Sequence, residues 1–81
     1  MDVVFTTKEA PGALRNGTIV EKINSEPRDT HGDGARAVIV GSVGPVDDPI
    51  AKYGYFVVWD DMLGIPVLIA DFRLRPVRWE N

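Results

Sequence analysis

The run from Asp29 to Gly34, Asp-Thr-His-Gly-Asp-Gly, is the part of this 81-residue chain that comes closest to a chemical site. Asp29, His31 and Asp33 are spaced like the first ligands of a calcium-binding loop, in which alternate residues supply oxygens. Histidine stands in place of the second oxygen ligand, and the twelfth position, which requires a bidentate glutamate, is Val40. We therefore expect no metal here and predict consecutive turns, in which the aspartate side chains accept nearby backbone N–H groups.

His31 is the only histidine of the chain, and histidine is the side chain whose charge changes near neutral pH. Nucleophilic catalysis would need a hydroxyl beside it, and nothing in the sequence brings Ser25 or Ser42 there. The paired carboxylates Asp47-Asp48 and Asp60-Asp61 point in opposite directions on extended chain, so neither pair can share a proton. We predict a solvated loop histidine and no catalytic residue.

Three arginines near the C-terminus, Arg73, Arg75 and Arg78, form the only basic cluster, and Trp79 follows them. Cations beside a stacking ring can hold single-stranded nucleic acid. However, the net charge is −3, whereas nucleic-acid binders carry a basic surplus. We therefore favour ion pairs over nucleic-acid contacts, and keep a Tudor- or KOW-like binder of nucleic acid or peptide as a second alternative. The expected ion-pair partners are Asp60, Asp61 and Asp71.

The composition limits the class of protein. With no cysteine there can be no disulfide, which suits a cytoplasmic protein. The N-terminal residues carry no secretory pattern, and every apolar run is far shorter than the ~20 residues that cross a membrane. We expect one soluble domain over residues 1–81. A chain this short buries only about 60% of its unfolded surface, so association is a common source of additional stability.

The candidate residues discussed above must be positioned by short β-strands and by the loops between them. The long polar run Ser25–Gly34 is predicted to be a surface loop, and Asp71–Leu74 a 3-10 turn with Asp71 as its N-cap. This order predicts an all-β fold, a small SH3-like barrel of five or six short strands with a 3-10 turn before the last one. An OB-like barrel is the alternative, but it needs a helix that the sequence does not provide. The predicted strands are Asp2–Thr6, Gly17–Ile23, Ala35–Val43, Tyr53–Trp59, Ile65–Ala70 and Pro76–Trp79.

The strands Tyr53–Trp59 and Ile65–Ala70 are apolar on both faces. Because side chains alternate along a strand, Phe56 and Val58 lie opposite the other apolar residues of the first strand. A small β-domain needs only one apolar face for its own core, so the second face needs a partner. We therefore predict a homo-oligomer. Its predicted interface residues are Tyr53, Tyr55, Val57, Trp59, Pro66 and Leu68.

With this order of strands, the chain resembles the plasmid-type (type II) dihydrofolate reductases, small SH3-like barrels that work as homotetramers around a central pore. The resemblance covers most of Gly17–Val77. The matching residues are Gly17, Val20 and Lys22, then Ile39-Val40-Gly41, Gly54-Tyr55, Val57, Gly64 and Leu74.

The resemblance implies where a ligand site would lie. Lys22 falls where the family keeps a lysine, and Val67, Leu68 and Ile69 fall where it keeps a Gln-Ile-Tyr run on the strand that lines the pore. Aliphatic side chains cannot supply the hydrogen bonds of an amide or a phenol. The resemblance therefore implies the barrel and self-association without the reductase activity.

The sequence predicts a non-enzymatic binding or interaction module, without a cofactor, that self-associates through an apolar sheet face. Its further partner would be an unknown protein or small molecule. The alternative is a symmetric oligomer of the reductase kind, enzymatic or binding a small molecule, with Lys22, Val67, Leu68 and Ile69 at the ligand. The size and the resemblance suit a bacterial accessory protein.

Overall fold

The computed structural model describes residues 4–77 and shows an all-β chain, which confirms the predicted class. Five antiparallel strands form one sheet in the order β4-β3-β2-β1-β5, so β4 and β5 are its edges. The two edges do not pair with each other over the described residues, and the sheet is not closed by hydrogen bonds. The strands are β1 Ile19–Lys22, β2 Arg36–Val43, β3 Gly54–Trp59, β4 Pro66–Ala70 and β5 Leu74–Pro76, and the 3-10 turn is Asp71–Arg73.

The core lies on one face of the sheet, where β1, β2 and β3 present β-branched and aromatic side chains at every second position. Val57 lies opposite Ile39 of β2 on one side and Val67 of β4 on the other, so three strands place aliphatic groups at one level. Each fully buried aliphatic side chain contributes about 1.5–3 kcal/mol. The buried apolar cluster contains Val20, Ala37, Ile39, Tyr55, Val57, Trp59 and Leu74.

The chain's own N-terminal segment, residues 4–10, covers part of the opposite, outer face. The ring of Phe5 packs edge-on against Phe56, with the ring centroids 5.1 Å apart. The N–H of Ser42 in β2 donates to the carbonyl of Lys8, 2.9 Å away. The segment therefore lies beside the second half of β2, where β1 no longer reaches, without forming a strand itself.

A glycine allows this close approach. Gly41 lies next to a bulge in β2, where the pairing with β3 shifts after Ile39. A Cβ added to Gly41 would overlap the carbonyl oxygen of Thr6, so any other residue would push the N-terminal segment away.

Two predicted strands differ from the structure. Residues 4–6 belong to no strand, and Asp2 and Val3 of the predicted first strand lie outside the described residues. The last strand begins at Leu74 instead of Pro76, because the buried Leu74 side chain takes the place opposite Lys22 of β1 as soon as the 3-10 turn ends.

The 3-10 turn forms where the sequence predicts it, but Asp71 is not its N-cap. Ala70 occupies that position, and Asp71 is the first residue of the turn. The Asp71 carboxylate accepts the N–H groups of Lys52 and Tyr53, at 3.1 and 3.0 Å. It therefore fixes the entry into β3 instead of the turn.

Candidate functional site

Two grooves lie beside the edge strand β4, and Leu68, Ile69 and Ala70 line both of them. The inner groove, of about 300 Å³, lies between β4 and the loop Ser25–Gly34. The outer groove, of about 400 Å³, lies between β4 and residues 43–51. The inner groove brings together Lys22, Val67, Leu68 and Ile69, the four residues that the resemblance placed at a ligand, with His31 and Trp59.

Lys22 ends β1 on the core face and is only 3% exposed. Its Nζ donates to Oγ of Ser25 (2.9 Å), Oδ2 of Asp29 (2.7 Å) and the carbonyl of His31 (3.1 Å). An ammonium group has three N–H donors, and all three are used. Lys22 therefore anchors the loop and has no donor left for a ligand in this arrangement.

The loop aspartates accept backbone N–H groups of the same loop, as the sequence predicts. Asp29 accepts from Glu26 at 3.0 Å, and Asp33 accepts from Ser25 at 2.9 Å. The hydrogen bond from Lys22, helped by the one from Glu26, lowers the pKa of Asp29. Hydrogen bonds with Ser25 lower the pKa of Asp33. Both carboxylates are therefore used as ionised acceptors within the loop.

His31 is not the solvated loop histidine that the sequence predicts. Its side chain is 10% exposed, and the imidazole stacks on Trp59 with the ring centroids 4.2 Å apart and the planes at 9°. Its Nε2 lies 2.8 Å from Oδ1 of Asp61. Both partners are far away in sequence, and the contact depends on the path that Lys22 imposes on the loop. No local signal in the sequence points to it.

Ser25 lies next to Lys22 in the manner of a serine–lysine pair, but the geometry does not suit nucleophilic catalysis. A serine activated by lysine needs a neutral amine as its base. Lys22 Nζ instead donates to Oγ of Ser25 and to the Asp29 carboxylate 2.7 Å away, so it is not placed to accept the serine proton. Ser25 therefore takes part in the loop's hydrogen-bond network.

The arginines form ion pairs, but with other partners than the sequence suggests. Arg73 pairs with Glu26 and also donates to the carbonyl of Asn24, and Arg75 pairs with Glu21. Because β5 pairs with β1, Arg75 lies directly opposite Glu21. The three aspartates predicted as partners do not pair with these arginines. Asp61 contacts His31, the Asp71 carboxylate accepts a backbone N–H of Lys52, and Asp60 is exposed to solvent. Arg78, the third member of the predicted cluster, lies outside the described residues.

The outer edge of β4 has free backbone groups. The N–H of Asp71 donates to the carbonyl of Tyr53, which fixes the antiparallel alternation. It follows that Val67 and Ile69 bond to β3, while Leu68 and Ala70 direct their N–H and C=O groups away from it. Between residues 4 and 77 no backbone hydrogen bond is made on that side of β4.

An apolar surface, the outer patch, adjoins this edge. We define it as Phe5, Val43, Val46, Pro66 and Leu68. Leu68 is 42% exposed and Val46 55% exposed. The side chains of Leu68 and Val43 both lie 3.1 Å from the position that a Cβ of Gly54 would take, and Leu68 pairs across the strands with Phe56, on which Phe5 packs. The patch is therefore continuous over β2, β3 and β4.

The predicted interface residues divide between the two faces. Tyr55, Val57 and Trp59 lie in the chain's own core, each less than 5% exposed, so the prediction that they face a partner is corrected. Tyr53 is half-buried and donates its hydroxyl to the carbonyl of Pro11. Pro66 and Leu68 lie exposed on the outer patch. Alternation in the sequence separates the two faces but does not say which is the core, and no local pattern connects Phe5 or Val46 with Leu68.

No protein-family model, curated protein or solved structure matches this chain. The resemblance to the type II reductases therefore rests on the residues of the sequence alone. None of the helical structure in residues 4–77 is long and apolar enough to cross a membrane.

Proposed function

We propose that this chain is an SH3-like barrel that serves as a non-enzymatic interaction module and associates with itself through the outer patch. The sheet order β4-β3-β2-β1-β5, with the 3-10 turn immediately before β5, supports the barrel. The bulge in β2 supports it too, because a bulge bends a strand and lets its two halves contribute to different parts of a curved sheet.

The observation that carries the proposal is the position of the outer patch beside the free edge of β4. Contiguous exposed apolar surface marks interaction sites, and an open strand edge offers hydrogen-bonding groups to another chain. The N-terminal segment covers Phe56 but leaves Leu68 and Val46 exposed. Burying both residues in an interface would add the stability that so short a chain gains with difficulty from its own core.

The inner groove supports a second candidate, a small-molecule site. It gathers the four residues that the resemblance implied, beside an aromatic stack. Against this candidate, the three donors of Lys22 are already taken by the loop, and Val67, Leu68 and Ile69 present aliphatic side chains. We therefore rank it below self-association.

Replacing Leu68 by aspartate is expected to weaken self-association at least tenfold without unfolding the chain. The charge would have to lose its hydration in the interface, whereas in the free subunit the 42% exposed side chain reaches water. A tenfold change corresponds to about 1.4 kcal/mol. Sedimentation velocity over a concentration series measures the effect, and circular dichroism checks the fold.

The matched control is Leu63→Asp. Leu63 is 78% exposed in the turn between β3 and β4 and lies outside the outer patch. This variant is expected to associate like the unmodified chain. If Leu63→Asp and Leu68→Asp associate equally well, the outer patch is not the interface.

A further inference from the structure

The loop Ser25–Gly34 is held at two places that differ in chemistry. Lys22 binds its first half and the carbonyl of His31 through a buried ammonium. The imidazole of His31 then ties the loop to the other side of the inner groove, through the Trp59 ring and the Asp61 carboxylate at the end of β3. The second attachment is made by an imidazole, a side chain that exists in a neutral and a protonated form.

We propose that His31 is a pH-dependent latch, which holds the loop against the end of β3 when the imidazole is protonated and loosens when it is neutral. The neutral imidazole gives one hydrogen bond to Asp61, a carboxylate that is 70% exposed. The protonated imidazole gives an ion pair with the same carboxylate and places a cation on the indole ring of Trp59.

The other charged groups around the inner groove do not oppose the protonated latch. Lys22 and Arg73 are the two cations there, and each is paired with a carboxylate: Lys22 with Asp29, and Arg73 with Glu26. Oδ2 of Asp29 also lies 3.7 Å from Nη1 of Arg73, so the carboxylates of Asp29 and Glu26 together balance the two cations. Since His31 and Thr30 line the inner groove, loosening the latch widens the groove on the side of the loop.

Hydrogen exchange of the loop amides tests the latch on the full chain. The informative amides are Gly34 and Ala35, which donate to the carbonyls of Lys22 and Gly32. After correction for the intrinsic pH dependence of exchange, their protection is expected to be about two- to fivefold higher at pH 5.5 than at pH 8, the effect of one partly exposed ion pair. Asp61→Asn and His31→Gln are each expected to abolish this difference.

Asp60→Asn is the matched control, because Asp60 is the neighbouring exposed carboxylate and forms no hydrogen bond or ion pair with His31 in the described structure. It is expected to keep the pH difference of the unmodified chain. Unchanged protection of the β2 and β3 amides shows that each variant is folded. A pH difference that persists in His31→Gln, or one that Asp60→Asn removes as completely as Asp61→Asn does, would overturn the proposal.

Discussion

Replacing Gly41 by alanine is expected to destabilise the chain by about 3 kcal/mol and to detach the N-terminal segment from β2. The added methyl group would overlap the backbone of Thr6, which cannot move aside as a flexible side chain could. If the segment leaves, the N–H of Ser42 loses the carbonyl of Lys8, and the Ser42 hydroxyl loses the N–H of Ala10. Water can then replace these partners at Ser42, so each lost hydrogen bond costs its net contribution of about 0.5–1.5 kcal/mol.

The same substitution also removes an apolar contact. Phe5 packs edge-on against Phe56, and an aromatic pair of this kind contributes about 0.5–1.5 kcal/mol beyond the area it buries. Urea unfolding at neutral pH measures the loss of stability. The free energy of unfolding should fall while the amides of the β3–β4 hairpin remain protected, because that pairing does not involve the segment.

Gly32→Ala separates this effect from the general effect of removing a glycine. Gly32 has no heavy atom within 4 Å of an added Cβ and does not need a positive φ. Its replacement is expected to change the free energy of unfolding by no more than about 0.5 kcal/mol. If Gly41→Ala were as stable as Gly32→Ala, the close packing of the N-terminal segment on β2 would be contradicted.

Replacing Lys22 by methionine is expected to destabilise the chain by about 3 kcal/mol and to release the loop Ser25–Gly34. Methionine keeps most of the apolar stem that packs at the end of β1 but has no donor. Oγ of Ser25, the Asp29 carboxylate and the carbonyl of His31 all lose the ammonium group. Urea unfolding measures the loss of stability, and exchange of the loop amides shows where the structure loosens.

The pH dependence of this loss follows from Asp29. The Lys22 hydrogen bond lowers the pKa of Asp29 in the folded chain, so the stability it contributes is complete above the unfolded value of about 3.9 and is lost as the pH falls through the lower folded value. The difference between the unmodified chain and Lys22→Met should therefore be largest at neutral pH and shrink below pH ~4.

Lys52→Met is the control for charge alone. Lys52 is exposed, and its ammonium lies 5.8 Å from the centre of the Tyr53 ring without a carboxylate partner in the described structure. Its loss is expected to change the free energy of unfolding by no more than about 0.5 kcal/mol. Equal effects of the two substitutions would mean that Lys22 does not organise the loop.

The strands of the fold could be predicted because their information is local. The alternation in Tyr53–Trp59 and the β-branched run in Ala35–Val43 gave strands within one or two residues of β3 and β2. The polar, glycine-rich composition of Ser25–Gly34 gave the loop. In each case the residues that decide the structure are neighbours in the chain.

The contacts that define the candidate site could not be predicted in the same way. His31 contacts Asp61 only because the loop lies over the end of β3. Arg75 contacts Glu21 only because the sheet order places β5 next to β1. Similarly, nothing in the first ten residues shows that Phe5 will pack on Phe56. Such contacts follow from topology, which a strand pattern does not specify.

The apolar strands β3 and β4 illustrate both what the sequence predicts and what it leaves undecided. The sequence correctly separates Tyr55 and Val57 from Phe56, because side chains alternate along β3. It does not show that the first set is the core, since both faces are apolar. The structure assigns the core to the face of Val57 and leaves Leu68 on the outer patch.

Sedimentation equilibrium of the unmodified chain over a micromolar concentration series tests self-association most directly. The chain has a mass of 8.9 kDa, and the proposal predicts an average mass of at least twice that value at the upper concentrations, falling on dilution. A mass of 8.9 kDa at every concentration would contradict the proposal. In that case the N-terminal segment would be the only cover that the outer face requires, and Leu68 would be an ordinary exposed residue.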